Sequence, residues 1–256
     1  MRNDNTTGRF LDTYLGLCTE VYDLSKPHPP EDAYTFYREY AAAAKGPILE
    51  PMCGTGRFLI PFLEEGFDIQ GFDASDAMLA KLRQKGEAKG LTPHAWHGFA
   101  QDLVRSERYD LIFIPTGSFC LITNLHEAKT VLEKFCEHLN DDGILLFEAE
   151  TMKAVPTTGI WRGSFWPNAT NQKIVLSQLA TLQDSICISL CKYELLEEGK
   201  IIHTEIEELK VRIYAHNQLL DMLKAAGFNH IRILKAFDRN GQPQEEDETI
   251  VYECRK

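Results

Sequence analysis

Apolar runs alternate with amphipathic stretches through roughly the first 150 residues of the chain. Between the apolar runs, residues recur with helical spacing from Phe58, from Ser75 to about Lys89, and from about Asn124 to Leu139. Strands that alternate with amphipathic helices predict a parallel sheet that is covered by helices on both faces. The predicted strands lie at about 48–50, 67–72, 93–97, 109–114 and 144–148.

The pattern changes between about residues 151 and 214, where almost no helical period is present. Short turns join the strand candidates of this stretch, which predicts an antiparallel sheet inserted into the α/β domain. After it, helical spacing resumes and stops at Gly227, a typical helix terminator. The strands predicted in and after this stretch lie at 160–166, 173–182, 184–196, 200–213, 228–236 and 248–254.

Two shorter segments complete the predicted elements. Pro29-Pro30 begins a helix that continues to about Ala44, and it follows a segment at 13–23 that is rich in aromatic residues. Asn140-Asp141-Asp142-Gly143 is typical of a turn, and it precedes the strand at 144–148.

Composition and charge narrow the possible partners. A chain of 256 residues fits one large α/β domain with an insertion, or two small domains. The net charge of −11, without Lys/Arg clusters, argues against nucleic acid and against anionic membranes. No apolar run approaches the roughly 18–20 residues of a membrane helix, and the first residues lack the apolar core of a secretory signal.

Seven cysteines are spread over the chain, an odd number that leaves at least one unpaired. Cys187 and Cys191 lie four apart in an alternating stretch, so on a strand they share one face as small core residues. Zinc requires further ligands at similar spacing, and the sequence supplies none, so we predict no metal site. A reduced, cytoplasmic protein is the resulting expectation.

A glycine turn after the first strand carries the strongest chemical signal. Cys53-Gly54-Thr55-Gly56 follows the strand directly and precedes the first amphipathic stretch. Strand, glycine turn and helix together bring backbone close to a ligand, because glycine has no Cβ. Glu50 lies four residues before the first glycine, and its carboxylate suits cationic or hydroxyl groups better than a bare pyrophosphate.

With these elements in place, the chain resembles the class I S-adenosylmethionine (SAM)-dependent methyltransferases from about Tyr22 to the C-terminus. The resemblance is greatest to the small-molecule branch that includes sugar-amine and glycine N-methyltransferases. Besides Glu50, it depends on Asp73, an acid that ends the second strand 17 positions after Gly56. The segments that carry the resemblance are 49–57, 71–79, 109–112, 139–143 and 225–228.

The resemblance implies a doubly wound, Rossmann-like α/β sheet that is mostly parallel, with an antiparallel last strand and an inserted small antiparallel sheet. Residues 1–45 are then an N-terminal helical lid, and residues 46–150 with 215–256 form the SAM-binding domain. Residues 151–214 cover the acceptor site. A monomer or a homodimer is expected.

The resemblance also assigns residues to SAM, which becomes S-adenosylhomocysteine. Glu50 binds the methionyl ammonium, Asp73 takes both ribose hydroxyls, and Arg57 faces the carboxylate. Tyr22 and Tyr37 belong to the lid, although both fit equally well as core aromatics, and Arg57 also fits as a solvated residue. The other cofactor positions that the resemblance implies are Met52, Gly54, Gly56, Ala74, Met78, Phe99, Ala100, Pro115 and Ser118.

The sequence departs from the family pattern at two places. Pro51 and Met52 replace the small residues that usually follow the first acid. Phe99 occupies the position where the family commonly has an acid for the adenine amino group. Phe99 then packs on adenine while the Ala100 backbone makes the polar contact, or Gln101 or Asp102 supplies the missing group.

The methyl acceptor is expected to be a small molecule held above the cofactor. Methyl transfer depends mainly on alignment, so a general base is needed only for an acceptor that arrives protonated. No residue is compelling as that base, and His203, on an alternating strand, fits a sheet-surface position better. The candidate acceptor residues are Tyr14, Phe119, Trp161, His203 and Arg212, and Trp161 fits equally well as packing for the insertion.

Two other functions compete with this one. A nicotinamide dehydrogenase also joins a strand to a glycine turn, but its fingerprint requires a small residue where Leu59 stands, and it has no use for Glu50. A non-catalytic SAM-binding or partner-binding protein on the same fold is the second alternative, since fold does not fix activity. A closed acceptor cavity favours the enzyme, whereas a blocked or flat surface favours the binding protein.

Overall fold

The computed structural model describes residues 11–256, which form two β-sheets, one of seven strands and one of four. The larger sheet contains β1 (Ile48–Pro51), β2 (Ile69–Asp73), β3 (His94–His97), β4 (Tyr109–Ile114), β5 (Leu139–Glu150), β10 (His230–Lys235) and β11 (Thr249–Arg255). The smaller sheet contains β6 (Trp161–Pro167), β7 (Lys173–Gln183), β8 (Ile186–Glu197) and β9 (Lys200–Arg212).

Two of the six α-helices of the described residues begin at a side-chain cap. The Ser75 hydroxyl accepts a hydrogen bond from the Met78 N–H, and Asn124 caps the next long helix in the same way. Gly227, with φ of +105°, follows the last helix. The helices are α1 (Gly16–Ser25), α2 (Glu31–Ala43), α3 (Leu59–Glu64), α4 (Asp76–Ala88), α5 (Leu125–His138) and α6 (His216–Ala225).

The larger sheet has the strand order β3-β2-β1-β4-β5-β11-β10, and only β11 runs antiparallel to its neighbours. β1 pairs in parallel with both β2 and β4, so the strand order reverses at β1. The loops after these three strands therefore meet at one edge of the sheet, where open α/β sheets bind ligands. The predicted fold class, a mostly parallel sheet with an antiparallel last strand and a separate antiparallel sheet, is confirmed.

The predicted turn at 140–143 is wrong, because β5 already begins at Leu139. Leu139 pairs with Tyr109, and the register then shifts before Leu111. Gly143 allows the close approach, since a Cβ there would lie 2.9 Å from the Tyr109 carbonyl oxygen. The polar residues thus lie in an irregular start of the strand.

The smaller sheet packs one face on α1. Ile174 and Tyr193 from the sheet form a buried cluster with Leu17 and Val21 from the helix. Cys187 and Cys191 are both buried on β8, as their spacing predicted. Among the described residues, none of the helices combines the length and the apolar character that crossing a membrane requires.

Candidate active site

A cleft of about 540 Å³ opens where the loops after β1, β2, β3 and β4 meet. The segment before α1 and the end of β9 complete its walls. A more open depression of about 710 Å³ lies between α2 and residues 237–240, but none of the predicted cofactor or acceptor residues lines it. We therefore treat the first cleft as the candidate site.

Glu50 lies at the end of β1 with only 2% of its surface exposed. The Leu59 backbone N–H donates to its carboxylate, but the second oxygen, Oε2, has no hydrogen-bond partner among the described residues. Burial raises the pKa of Glu50 well above its usual value, and the nearby negative charge of Asp73 raises it further. A buried carboxylate oxygen without a partner is costly, which indicates that a cationic donor belongs beside it.

Asp73 ends β2 and lines the cleft, whereas Glu50 is buried behind the cleft surface. Its Oδ2 accepts the Gly54 N–H and its Oδ1 accepts the Ser75 N–H, both at 2.8 Å. Burial raises the pKa of Asp73, and these backbone hydrogen bonds oppose the shift. Because each carboxylate oxygen has about two acceptor positions, both oxygens keep one for a ligand hydroxyl.

The glycine turn forms the floor between these two acids. Met52 and Gly54 both line the cleft and have positive φ values, +57° and +53°. A Cβ on Gly54 would have only the Met78 sulfur, at 3.9 Å, as a neighbour, so a longer side chain would extend into the cleft. Gly56 serves another purpose: a Cβ there would lie 3.0 Å from Leu82, so this glycine lets α4 pack on the turn.

The predicted adenine positions lie together on one wall. Ala74, Met78, Phe99 and Ala100 all line the cleft. Gln101 lines it as well, whereas Asp102 does not. Of the two side chains that the sequence offered in place of the usual acid, only Gln101 is therefore in position.

The N-terminal segment closes the opposite wall through Tyr14 and Tyr22. The N–H groups of Tyr14 and Leu15 donate to the Glu207 carboxylate of β9 at 2.8 and 2.9 Å. The Tyr14 carbonyl accepts the Ser75 hydroxyl at 2.8 Å. Tyr14 is thus fixed to both the smaller sheet and the cofactor loop.

Tyr37 and Arg57, like Glu50, lie behind the cleft rather than on it. Tyr37, expected in the lid, is fully buried and donates to Glu148 at 2.8 Å, so it is a core residue of α2. Arg57 does not line the cleft, because its Nε donates to the His28 carbonyl at 2.7 Å and its guanidinium hydrogen-bonds to Tyr22. Burial raises the pKa of Glu148 to about 7.

The loop after β4 reaches the cleft through Thr116, Gly117 and Ser118, while Pro115 is buried and does not line it. Thr116 and Gly117 have φ values of +59° and +68°. The Thr116 N–H donates to the Glu148 carboxylate, which holds this strained loop in place.

Of the five predicted acceptor residues, only Tyr14 lines the cleft. Phe119 is fully buried against Phe147, and Trp161 and His203 are exposed on the smaller sheet. Arg212 donates to the Thr123 carbonyl at 2.6 Å, which anchors β9 to the loop after β4. Which face of the inserted sheet meets the cleft is set by packing on α1, and the sequence pattern did not reveal it.

Several lining residues were missed at the sequence level. The signal for Glu150 was available, since this acid ends β5 as Glu50 and Asp73 end their strands. The other residues come from the cleft rim and carry no motif. They include Lys26, Glu127, Glu208 and Lys210.

Residues 48–143 match a family model described as "Methyltransferase domain". These residues form a methyltransferase domain. The match spans the methyltransferase strands β1 to β4, the loops that build the cleft, and the start of β5. The family predicted from the glycine turn and the two acids is therefore confirmed.

Curated relatives agree with this family. A "Putative methyltransferase YqeM" of Bacillus subtilis (strain 168) is 22% identical over 95% of this methyltransferase and 97% of its own length. A "Glycine/sarcosine N-methyltransferase" of Halorhodospira halochloris is 27% identical over 57% of the chain. The chain spans about half of that relative's length, 54%.

Solved structures show the same fold. An S-adenosylmethionine-dependent methyltransferase from Clostridium acetobutylicum ATCC 824 superposes with a TM-score of 0.77 at 17% identity, covering 92% of this chain and 96% of that one. The sugar N-methyltransferase KedS8 from Streptoalloteichus sp ATCC 53650 has a TM-score of 0.74 at 20% identity, and each chain is covered completely, 100%.

The described residues fit S-adenosylmethionine, the cofactor that this family implies. The unpartnered oxygen of Glu50 lacks the cationic donor that an amino group supplies. The Asp73 carboxylate keeps acceptor positions for two hydroxyls, and the absence of a side chain on Gly54 leaves the floor open.

Proposed function

We propose that the protein transfers the methyl group of S-adenosylmethionine to a small-molecule acceptor. The observation that carries the proposal is a pair of acids, Glu50 and Asp73, on neighbouring parallel strands: Asp73 lines the cleft, and Glu50 is buried behind it, near the cleft-lining Tyr22. One of them has an oxygen without a partner, which is the state expected of a site built for a cationic ligand.

In this proposal each acid holds a different part of the cofactor. Glu50 binds the methionyl ammonium, and Asp73 binds the two ribose hydroxyls. Ala74 and Met78 pack on the adenine, while Phe99 and Gln101 form its far edge. Arg57 lies behind Tyr22 and steadies the methionyl end through that ring.

The bound sulfonium supplies an electrophilic methyl group that a lone pair displaces in line. The chain's own contribution is alignment and exclusion of water, which together can lower a barrier by on the order of 7–11 kcal/mol. The segment from residue 11 to the end of α1 acts as a lid, and residues 151–214 cover the acceptor, because Tyr14, Tyr22 and β9 form walls of the cleft. We also propose a cytoplasmic location, which seven unpaired cysteine thiols support.

Calorimetric titration with S-adenosylmethionine and S-adenosylhomocysteine tests the binding site. Asp73→Ala is expected to weaken both ligands about 30- to 1,000-fold, because two charge-assisted hydrogen bonds of roughly 1.5–3 kcal/mol each are lost with partial compensation. Asp76→Ala removes an acid from the first turn of α4 that does not line the cleft, and it serves as the matched control. Equal affinity in wild type and Asp73→Ala, with intact folding by thermal melting, contradicts the ribose assignment.

A further inference from the structure

The lining of the cleft carries more acidic than basic side chains. Phosphate-bearing ligands bind where Lys and Arg cluster, and this lining offers no such cluster among the described residues. An acceptor that carries a positive charge is favoured instead. Apart from Asp73, the charged residues of the lining are Asp12, Glu127, Glu150 and Glu208 against Lys26 and Lys210.

Glu150, one of these acids, packs against the loop after β4. A Cβ on Gly117 would lie 3.1 Å from both Cγ and Oε1 of Glu150, so the carboxylate packs directly on the backbone of that loop. Any residue larger than glycine at this position would displace it. Pairing of β5 with β11 through Thr249, and a hydrogen bond from the Glu150 N–H to the Cys120 sulfur at 3.3 Å, fix its backbone.

The Glu150 carboxylate is partly buried, yet no described side chain donates a hydrogen bond to it. Burial raises the pKa of Glu150, the positive charge of Lys26 opposes the shift, and Glu248 adds to it. Lys26 is therefore close enough to affect the pKa of Glu150, but the two side chains do not form a direct ion pair. A carboxylate in this state suits both binding of an ammonium group and acceptance of its proton.

We propose that Glu150 binds the amino group of the methyl acceptor and takes its proton before transfer. This inference rests on the proposed function and names the acceptor class, a small amine without phosphate. An aliphatic amine is almost fully protonated at pH 7, since its pKa is about 10, and it then has no lone pair. The proton moves from the ammonium to Glu150. The freed lone pair forms the N–C bond while the S–C bond breaks, its electron pair stays on sulfur, and the product is a methylammonium.

The test uses S-adenosylmethionine with a trideuterated methyl group and a small-metabolite extract of bacterial cells as the acceptor source. Mass-spectrometric fragmentation locates the label on nitrogen, oxygen or carbon. Glu150→Gln is compared with Glu248→Gln, which removes an exposed neighbouring acid of the same size. S-adenosylhomocysteine affinity, measured by calorimetry, is expected to stay within about twofold of wild type in both variants.

We expect an N-methylated product. At pH 7 the rate of Glu150→Gln falls roughly 100- to 10,000-fold, the usual contribution of a general base. The deficit shrinks as the pH approaches about 10, where the free amine deprotonates without help. Glu248→Gln keeps the wild-type rate. Glu150→Asp keeps a carboxylate and therefore keeps the pH dependence at a reduced rate.

A label on oxygen or carbon overturns the inference, and so does a wild-type rate for Glu150→Gln at pH 7. Identical pH profiles for Glu150→Asp and Glu150→Gln also overturn it, and this comparison holds even if both variants are less stable. These outcomes leave the methyltransferase function standing. By contrast, a protein that binds S-adenosylhomocysteine and labels nothing in the extract overturns the proposed transfer itself.

Discussion

Replacing Glu50 by glutamine is expected to raise the stability of the protein and to weaken its binding of the cofactor. The side chain is 2% exposed and its Oε2 has no partner among the described residues, so the ionised form is costly in the empty protein. Glutamine keeps the shape and an oxygen for the Leu59 N–H while it removes the charge. Because an ionised carboxylate that is buried without a partner destabilises the native state, removing the charge is expected to stabilise the protein by about 1–3 kcal/mol.

The sign of the pH dependence follows from the raised pKa of Glu50. Between the pKa of the unfolded chain, about 4.3, and the higher folded value, the native state binds the proton and the unfolded chain does not. Wild-type stability from this group is therefore full at low pH and falls as pH rises through the folded pKa. Glu50→Gln lacks this titration, so its advantage appears at pH 8 and is absent at pH 4.

Urea unfolding at the two pH values and calorimetry with S-adenosylmethionine measure the two effects. At pH 8 we expect Glu50→Gln to gain about 1–3 kcal/mol of unfolding free energy and to lose about 10- to 150-fold in affinity, the value of one charge-assisted hydrogen bond. Glu64→Gln, which breaks an exposed pair with Lys89, is the control and is expected to change stability by less than about 1 kcal/mol. A destabilised Glu50→Gln with wild-type affinity refutes the reasoning.

Two further substitutions test how the walls of the cleft are held. In Glu207→Ala, the N–H groups of Tyr14 and Leu15 lose their acceptor, which is expected to cost about 2–4 kcal/mol of local stability. Amide hydrogen exchange at the start of α1 is then expected to accelerate roughly 30- to 1,000-fold. Unchanged exchange there rules out this capping role. Gly56→Ala places a Cβ 3.0 Å from Leu82 at a φ of +74°, and it is expected to lower the free energy of unfolding in urea by about 2–4 kcal/mol. Gly66 has a similar φ of +85° but open space around it, so Gly66→Ala is expected to lower that free energy by only about 1 kcal/mol. Equal costs at the two glycines contradict the packing argument.

The parts of the fold that were predicted from sequence depend on local chemistry. Ser75 and Asn124 cap their helices through hydrogen bonds that span two or three residues, so the sequence alone reveals where α4 and α5 begin. The start of β5 was mispredicted because its irregular pairing with Tyr109, thirty residues away, decides it. The polar residues at 140–143 are by themselves typical of a turn, and only the pairing of Leu139 with Tyr109 shows that they lie in a strand.

The candidate site divides in the same way. Glu50 and Asp73 were chosen because acids at the ends of adjacent parallel strands meet at one edge, a consequence of topology that the pattern contains. The sequence did not show that Tyr37 is a core residue rather than part of the lid, because its hydrogen-bond partner, Glu148, lies 111 residues later in the chain. Trp161 and His203 lie away from the cleft, and the surface position that the sequence favoured for His203 is the one observed. The sequence did not show which sheet face β6 and β9 present to the cleft, because that face depends on the packing of α1.

The double attachment of Asp73 bears on how the ancestry of such proteins is interpreted. This acid ties the backbone at Gly54 to the backbone at Ser75, so a descendant that no longer handled the nucleoside would still need it for its architecture. The presence of this aspartate in a related sequence is therefore weak evidence that the related protein is active. The Oε2 atom of Glu50 has no comparable structural role among the described residues. In a related protein that has lost catalytic activity, we therefore expect Glu50 to be replaced early by a neutral residue.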